Sequence, residues 1–136
     1  MTQVQRVDVI LFVADQARSA RFYAQVLDRA PDLDVPGMTQ LALGPGVALG
    51  LMPEQGIARI LDGQVDPTAA RAAPRGELYL TVDDPAAVHA RALAAGAREL
   101  SPLAPRSWGD DAAYSLDPDG HLLVVARRSA APAAGA

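Results

Sequence analysis

The chain states its pattern twice. Val13, Asp15 and Ala17 return as Val82, Asp84 and Ala86, 69 residues on, and Gly46, Leu49 and Leu51 return as Gly120, Leu123 and Val125, 74 residues on. The slip between the two offsets falls between a helix and a hairpin, where loop-closure entropy rises slowly with length and insertions cost little. A duplicated unit of this size has one helix to lay on one face of a small sheet. Its other face then needs cover, so two copies are expected to act together.

Periodicity fills in each copy. Val4 to Val13 alternates as a strand, with Val9, Leu11 and Val13 on one face and Asp8, Ile10 and Phe12 on the other. Asp15 is placed to cap a helix over Ala17 to Leu27, whose Ala20, Tyr23, Ala24 and Leu27 share a stripe. Thr39 to Leu43 and Val47 to Met52 read as strands around the turn Gly44-Pro45-Gly46. The stretch from Pro53 to Gly76 reads as a linker, with a helical turn or two at Ile57 to Leu61. Glu77 to Val82 begins the pattern again, with Leu78, Leu80 and Val82 opposed to Glu77, Tyr79 and Thr81. Asp84-Pro85 starts a helix through Val88, Ala92 and Ala95 that stops at Gly96. Ala97 to Leu100 is a short extended stretch, and Ala112 to Leu116 and His121 to Ala126 are strands around Asp117-Pro118-Asp119-Gly120.

The expected fold class is therefore α+β: two tandem βαβββ modules forming a curved mixed sheet around a cleft. The domain is 1–128, with module one at 4–53, a linker at 54–75 and module two at 76–128. The tail at 129–136, all Ser, Ala, Pro and Gly, is expected to be disordered.

Composition narrows the function classes. A net charge of −4 argues against nucleic acid, which calls for a basic footprint. No apolar run is long enough to span a membrane, and no secretion signal opens the chain, so a cytoplasmic protein is expected. With no cysteine there is no disulfide, thiolate nucleophile or zinc ribbon, and with no lysine there is no Schiff base.

Three further features accompany the repeat: the aromatic pair Phe22-Tyr23 in the first helix, Arg106-Ser107-Trp108-Gly109 before the penultimate strand, and the Asp117-Pro118-Asp119-Gly120-His121 turn. With Asp8 to Asp15, they make residues 4–128 resemble the vicinal oxygen chelate superfamily. That superfamily includes glyoxalase I, extradiol dioxygenases, fosfomycin-inactivating transferases and bleomycin-resistance proteins. The resemblance implies four metal-ligand positions, here Asp8, Glu77, Gly50 and Val124. Glycine and valine offer no lone pair, and two carboxylates leave most of an octahedral shell to water. His121 lies three residues before Val124 and so points to the opposite face. The expectation is no metal and no cofactor.

The candidate catalytic residues are Asp8 and Glu77, as an anchor for a cationic group or a general acid/base pair, against the alternative of two solvated carboxylates. Candidate ligand-binding residues are Phe12, Met52, Tyr79, Trp108 and Tyr114, flat or flexible apolar groups in a chain poor in aromatics; ordinary core packing is the rival. Arg106 is a candidate clamp for an anionic substituent, against a solvated loop arginine. Phe22 and Tyr23 are expected in the core, His89 on the surface, and the Asp110-Asp111 pair in a loop.

The resulting reading is a metal-independent protein that binds a small organic molecule. By resemblance to the bleomycin-resistance branch, that molecule would be a natural product or antibiotic held by a homodimer. The alternative is a lyase, isomerase or dioxygenase using Asp8 and Glu77 as metal ligands or as general acid/base. A structural or regulatory module has no positive support.

Overall fold

The computed structural model describes residues 2–71 and 73–130. The chain divides into two compact units, Met1–Arg71 and Ala72–Ala136.

The first unit carries β1 (Val7–Val13), α1 (Gln16–Leu27), β2 (Leu33–Val35), β3 (Met38–Gly44), β4 (Val47–Pro53) and α2 (Glu54–Ile60), then a short 3-10 turn at Pro67–Ala70. Its sheet has the order β1-β4-β3-β2, with β1 parallel to β4 and the rest antiparallel. The first strand begins at Val7, later than the expected Val4, because its ladder partner begins at Val47: the Val7 N–H is the first to find a carbonyl, that of Gly46, at 2.8 Å. The Asp15 side chain accepts a hydrogen bond from the Arg18 N–H at 3.0 Å and starts α1; Asp28, in the left-handed conformation, ends it. Phe22 and Tyr23 are buried edge to face at 4.9 Å, and with Val13, Val26, Leu41, Leu49 and Leu51 they form the core on the α1 side of the sheet. Each fully buried side chain of this kind contributes about 1.5–3 kcal/mol.

The expected helical turn or two of the linker is present but begins at Glu54, ahead of Ile57, and a 3-10 turn at Pro67–Ala70 follows it. Helix α2 runs for seven residues, and its buried first residue, Glu54, is ion-paired with Arg71. Burial of a carboxylate calls for such a partner.

The second unit repeats the order: β5 (Glu77–Thr81), α3 (Pro85–Ala94), β6 (Arg98–Pro105), β7 (Asp110–Leu116) and β8 (Leu122–Arg128). The sheet order β5-β8-β7-β6, with β5 parallel to β8, matches the first unit strand for strand. Asp84 caps α3 by accepting from the Ala87 N–H at 3.1 Å, and Gly96, at φ +114°, turns the chain out. Strand β6 extends five residues past the expected Leu100. Pro102 and Pro105 interrupt the sequence pattern there, but β6 is an edge strand with irregular register, where a residue lacking an N–H is tolerated.

Three more expectations are corrected. His89 is buried, not on the surface, and its Nε2 lies 2.9 Å from Glu99 Oε2, tying α3 to β6. Asp110 and Asp111 open β7 rather than sitting in a loop. Ser129, expected in the disordered tail, donates its N–H to the Gly109 carbonyl at 2.9 Å and its hydroxyl to Asp111 at 2.8 Å. The rest of that tail, from residue 131, lies outside the described residues. Among the described residues no helix is long and apolar enough to cross a membrane.

Candidate functional site

In the second unit, Leu78, Leu80, Leu123 and Val125 occupy the α3 side of the sheet. Alternation puts Glu77, Tyr79, Tyr114, Val124, Ala112, Ala126, Asp110 and Arg128 on the other. Ala112, Val124 and Ala126 form a buried apolar floor there, with Tyr79 and Tyr114 packed against it. The turn between β6 and β7 sets Trp108 beside them. It is closed by the Arg106 N–H donating to the Asp110 carbonyl at 2.7 Å and the Gly109 N–H to the Arg106 carbonyl at 3.1 Å.

The aromatic tips are tied together. The Tyr79 hydroxyl donates to Asp110 Oδ2 at 2.6 Å and accepts from Trp108 Nε1 at 3.0 Å. Arg128 stands behind the turn: its Nη1 donates to the Trp108 carbonyl at 3.3 Å and lies 3.6 Å from Asp110 Oδ1. Burial and the hydrogen bond to the Asp110 carboxylate raise the Tyr79 phenol above its ordinary value, with the Trp108 hydrogen bond opposing. Despite these ties the Trp108 side chain remains 50% exposed.

Arg106 faces inward. Its Nη2 donates to the Ala112 carbonyl and the Ser101 hydroxyl, both at 2.8 Å, and to the Pro102 carbonyl at 3.0 Å; its Cζ lies 5.0 Å from the Tyr114 ring centroid. This arginine braces the β6–β7 turn and one face of Tyr114. Glu77 is exposed at the start of β5, two residues from Tyr79 on the same face, and forms no ion pair among the described residues.

In the first unit, Gln16 of α1 bonds Thr39, which fixes the α1 side of that sheet. Asp8, Ile10, Phe12, Met38, Gly50 and Met52 lie on the other side, and Phe12 and Met52 are direct ladder neighbours. Asp8 is held by Arg6, whose Nε lies 3.1 Å from both carboxylate oxygens and whose Nη2 lies 3.0 Å from one. The structure thus gathers Tyr79, Trp108, Tyr114 and Arg106 into one constellation. Phe12, Met52 and Asp8 stand on the other sheet.

The chain's own residues do not fit the metal that the superfamily's enzymes hold. A Cβ at Gly50 would stand 3.0 Å from Ile10 Cγ1 and 3.2 Å from Met38 Sδ, so apolar side chains already fill that position. Val124 is fully buried among alanines and tyrosines. Asp8 is engaged by a guanidinium. Among the described residues no three His, Cys, Asp or Glu side chains gather as a metal site would require.

Asp110 and Arg128 are the members of this constellation that sequence reasoning missed. The signal was present: counting outward from the Asp117–Gly120 turn pairs Leu116 with Leu122 and therefore Asp110 with Arg128, an acid opposite a base at the open end of a hairpin.

Duplicated βαβββ units with this aromatic wall define a class, and comparison with known proteins identifies it. The family model described as "Glyoxalase-like domain" matches residues 8–126, and the chain belongs to that family. Among solved structures, it is similar to a glyoxalase-related enzyme from Fulvimarina pelagi, at 26% identity and a TM-score of 0.77, covering 91% of this chain and 88% of that one. A glyoxalase/bleomycin resistance protein/dioxygenase from Nocardioides shares the fold at 23% identity and a TM-score of 0.74, covering 100% and 91%. Protein ATC0852 from Agrobacterium tumefaciens matches at 27% identity and a TM-score of 0.70, over 95% and 99%. A search of the curated proteins found no match.

Proposed function

We propose that this chain is a metal-independent binding protein of the glyoxalase/bleomycin-resistance type, cytoplasmic and homodimeric, that holds a small organic molecule of natural-product or antibiotic character. The observation that carries this reading is the exposed Trp108 indole, fixed through its nitrogen to Tyr79 above an apolar floor. Such a surface gains by burying a flat apolar ligand. Tyr79, Trp108 and Tyr114 with its Arg106 brace form the wall, and Glu77 on the same face sets the charge preference; Phe12 and Met52 are candidate apolar contacts on the first unit's own sheet.

Two measurements test it. A thermal-shift and calorimetric screen of aromatic natural products should yield a ligand whose affinity falls at least about tenfold in Trp108→Ala, the loss expected of a central anchor. Loading with Mn, Fe(II), Co, Ni or Zn followed by desalting should leave sub-stoichiometric metal. About one tightly held ion per chain, lost in Glu77→Gln, overturns the metal-free reading.

The rival is a lyase, isomerase or dioxygenase using Asp8 and Glu77, favoured by the 26% identity to a glyoxalase-related enzyme. Joint substitution of Asp8 by Asn and Glu77 by Gln separates the two. Lost turnover with unchanged affinity favours the enzyme, and weakened affinity with no turnover to lose favours the binder.

A further inference from the structure

Trp108 is half exposed, yet its turn is fastened from every side. The indole nitrogen is bonded to Tyr79, Tyr79 to Asp110, the Trp108 carbonyl to Arg128, and the Gly109 carbonyl to Ser129. Gly109 sits at φ +97°, and a Cβ there would lie 3.1 Å from the Arg128 guanidinium, so the arginine packs flat on the glycine backbone. An exposed side chain ordinarily changes rotamer in picoseconds to nanoseconds. Here the tip of the ring is bonded to a tyrosine that is itself bonded to a carboxylate.

We propose that Asp110, backed by Arg128, is a positioning residue that holds Trp108 as a rigid stacking shelf, and that the ligand taken there is a flat π-system read by its ring face. This rests on the small-molecule reading above and adds to it the class of ligand and the residues that select it. The selection follows from which groups are already satisfied. The Trp108 N–H and the Tyr79 O–H both have protein acceptors, and Arg106 Nε and Nη2 are spent on carbonyls and Ser101. With those donors spent, the half-exposed indole is the main apolar surface the wall offers, the Tyr114 hydroxyl and Arg106 Nη1 being its remaining polar groups. Stacking on an immobilised ring costs the protein no further side-chain entropy, so the preference for flat over puckered ligands depends on the clamp being intact.

The test uses the full chain and two neutral probes of one skeleton, 2-naphthamide and its fully reduced decalin counterpart. Trp108 is the chain's single tryptophan, so its emission reports the shelf without any ligand. In ligand-free protein, Asp110→Ala and Tyr79→Phe should red-shift that emission and lower its anisotropy; Asp110→Asn, which keeps an acceptor for the Tyr79 hydroxyl, should stay near the parent. By calorimetry the parent should prefer the naphthamide about five- to tenfold. That preference should collapse in Asp110→Ala and survive in Asp110→Asn. Unchanged emission and anisotropy in folded Asp110→Ala and Tyr79→Phe overturn the positioning role and leave small-molecule binding standing. Equal affinity for the two probes overturns the flat-ligand class alone. Binding of neither probe by the parent, with the clamp shown intact by emission, counts against the site itself and not against the positioning of Trp108.

Discussion

The face opposite α1 in the first unit and the face opposite α3 in the second stand on the same ladder and have come to differ in kind. Position for position, Ile10 answers to Tyr79, Gln40 to Tyr114 and Gly50 to Val124. The first face is closed by aliphatic side chains leaning over a glycine, and its acid, Asp8, is neutralised by its neighbour Arg6. The second is aromatic, cross-tied through hydroxyl, indole and carboxylate, and leaves its acid, Glu77, unpaired among the described residues. A duplicated backbone therefore fixes where side chains point and leaves open what they do. Rigidity is concentrated on one copy by a few polar tips. Each substitution below tests that asymmetry, the largest effect first.

Val124 and Gly50 are equivalent, but only Val124 lies under an aromatic pair at zero exposure. Val124→Glu places a carboxylate in an apolar floor and should destabilise by about 3–5 kcal/mol. Val124→Ala, a cavity alone, should cost about 2 kcal/mol. Urea unfolding of both variants checks this, and equal losses would mean the floor is wetter than its packing implies.

The two crowded glycines should also part company. Gly109→Ala combines a positive φ with displacement of Arg128 and should cost about 2 kcal/mol. At Gly50 the backbone is not in the left-handed region and the flexible Met38 thioether can give way, although Ile10 Cγ1 sits on a stiff β-branched side chain, so Gly50→Ala should cost about 1 kcal/mol. Thermal unfolding of the pair ranks them, and a reversed order would make the aliphatic face the stiffer one.

Tyr79 gives the comparison a pH axis. Its phenol is raised above the ordinary value by burial and by Asp110, so the folded state favours the neutral form. A group raised in this way contributes stability that is fully present below the unfolded value, about 10, and is lost as pH climbs through the folded value. Tyr79→Phe should cost about 1 kcal/mol near neutrality. The gap to the parent should close at strongly alkaline pH as the parent's phenol ionises against the Asp110 carboxylate. Denaturant unfolding from pH 8 to 11.5 follows it, and a gap that stays constant removes the Tyr79–Asp110 bond as its source.

Much of this asymmetry was legible beforehand, for a definable reason. Alternation placed Tyr79 and Glu77 on one face and Leu78 and Leu80 on the other, since strand geometry has a period that the sequence displays directly. Helix caps at Asp15 and Asp84 were equally local. What escaped depends on partners distant in sequence or on an overlooked spacing. β2, three residues long between Pro31 and Pro36, is a strand only because β3 pairs with it. The polarity of His89 suggests the surface, although Pro85, Val88, His89 and Ala92 share the spacing of a buried helix stripe and Glu99 waits on β6. The Tyr79–Asp110 bond joins residues 31 apart, which no local pattern reveals.

The smallest structural effect should come from the two acids, and there the two faces diverge in function. Asp8→Asn breaks an ion pair whose side chains are 53% and 29% exposed, and Glu77→Gln breaks none among the described residues, so neither should move the thermal midpoint by more than about 1 °C. Their effect on a charged ligand should differ. The Asp8 charge is already balanced by Arg6, whose own guanidinium is held above its ordinary value by that carboxylate. Glu77 stands about 7 Å along the strand from Tyr79, within reach of a cationic substituent on a ring stacked at Trp108. Replacing 2-naphthamide by 2-naphthylmethylammonium should therefore gain affinity in the parent and in Asp8→Asn. Glu77→Gln should lose about three- to fivefold of that gain, less in high salt, as expected of an exposed charge. An equal loss in both variants would mean that the gain is not set by Glu77 through its place beside Tyr79.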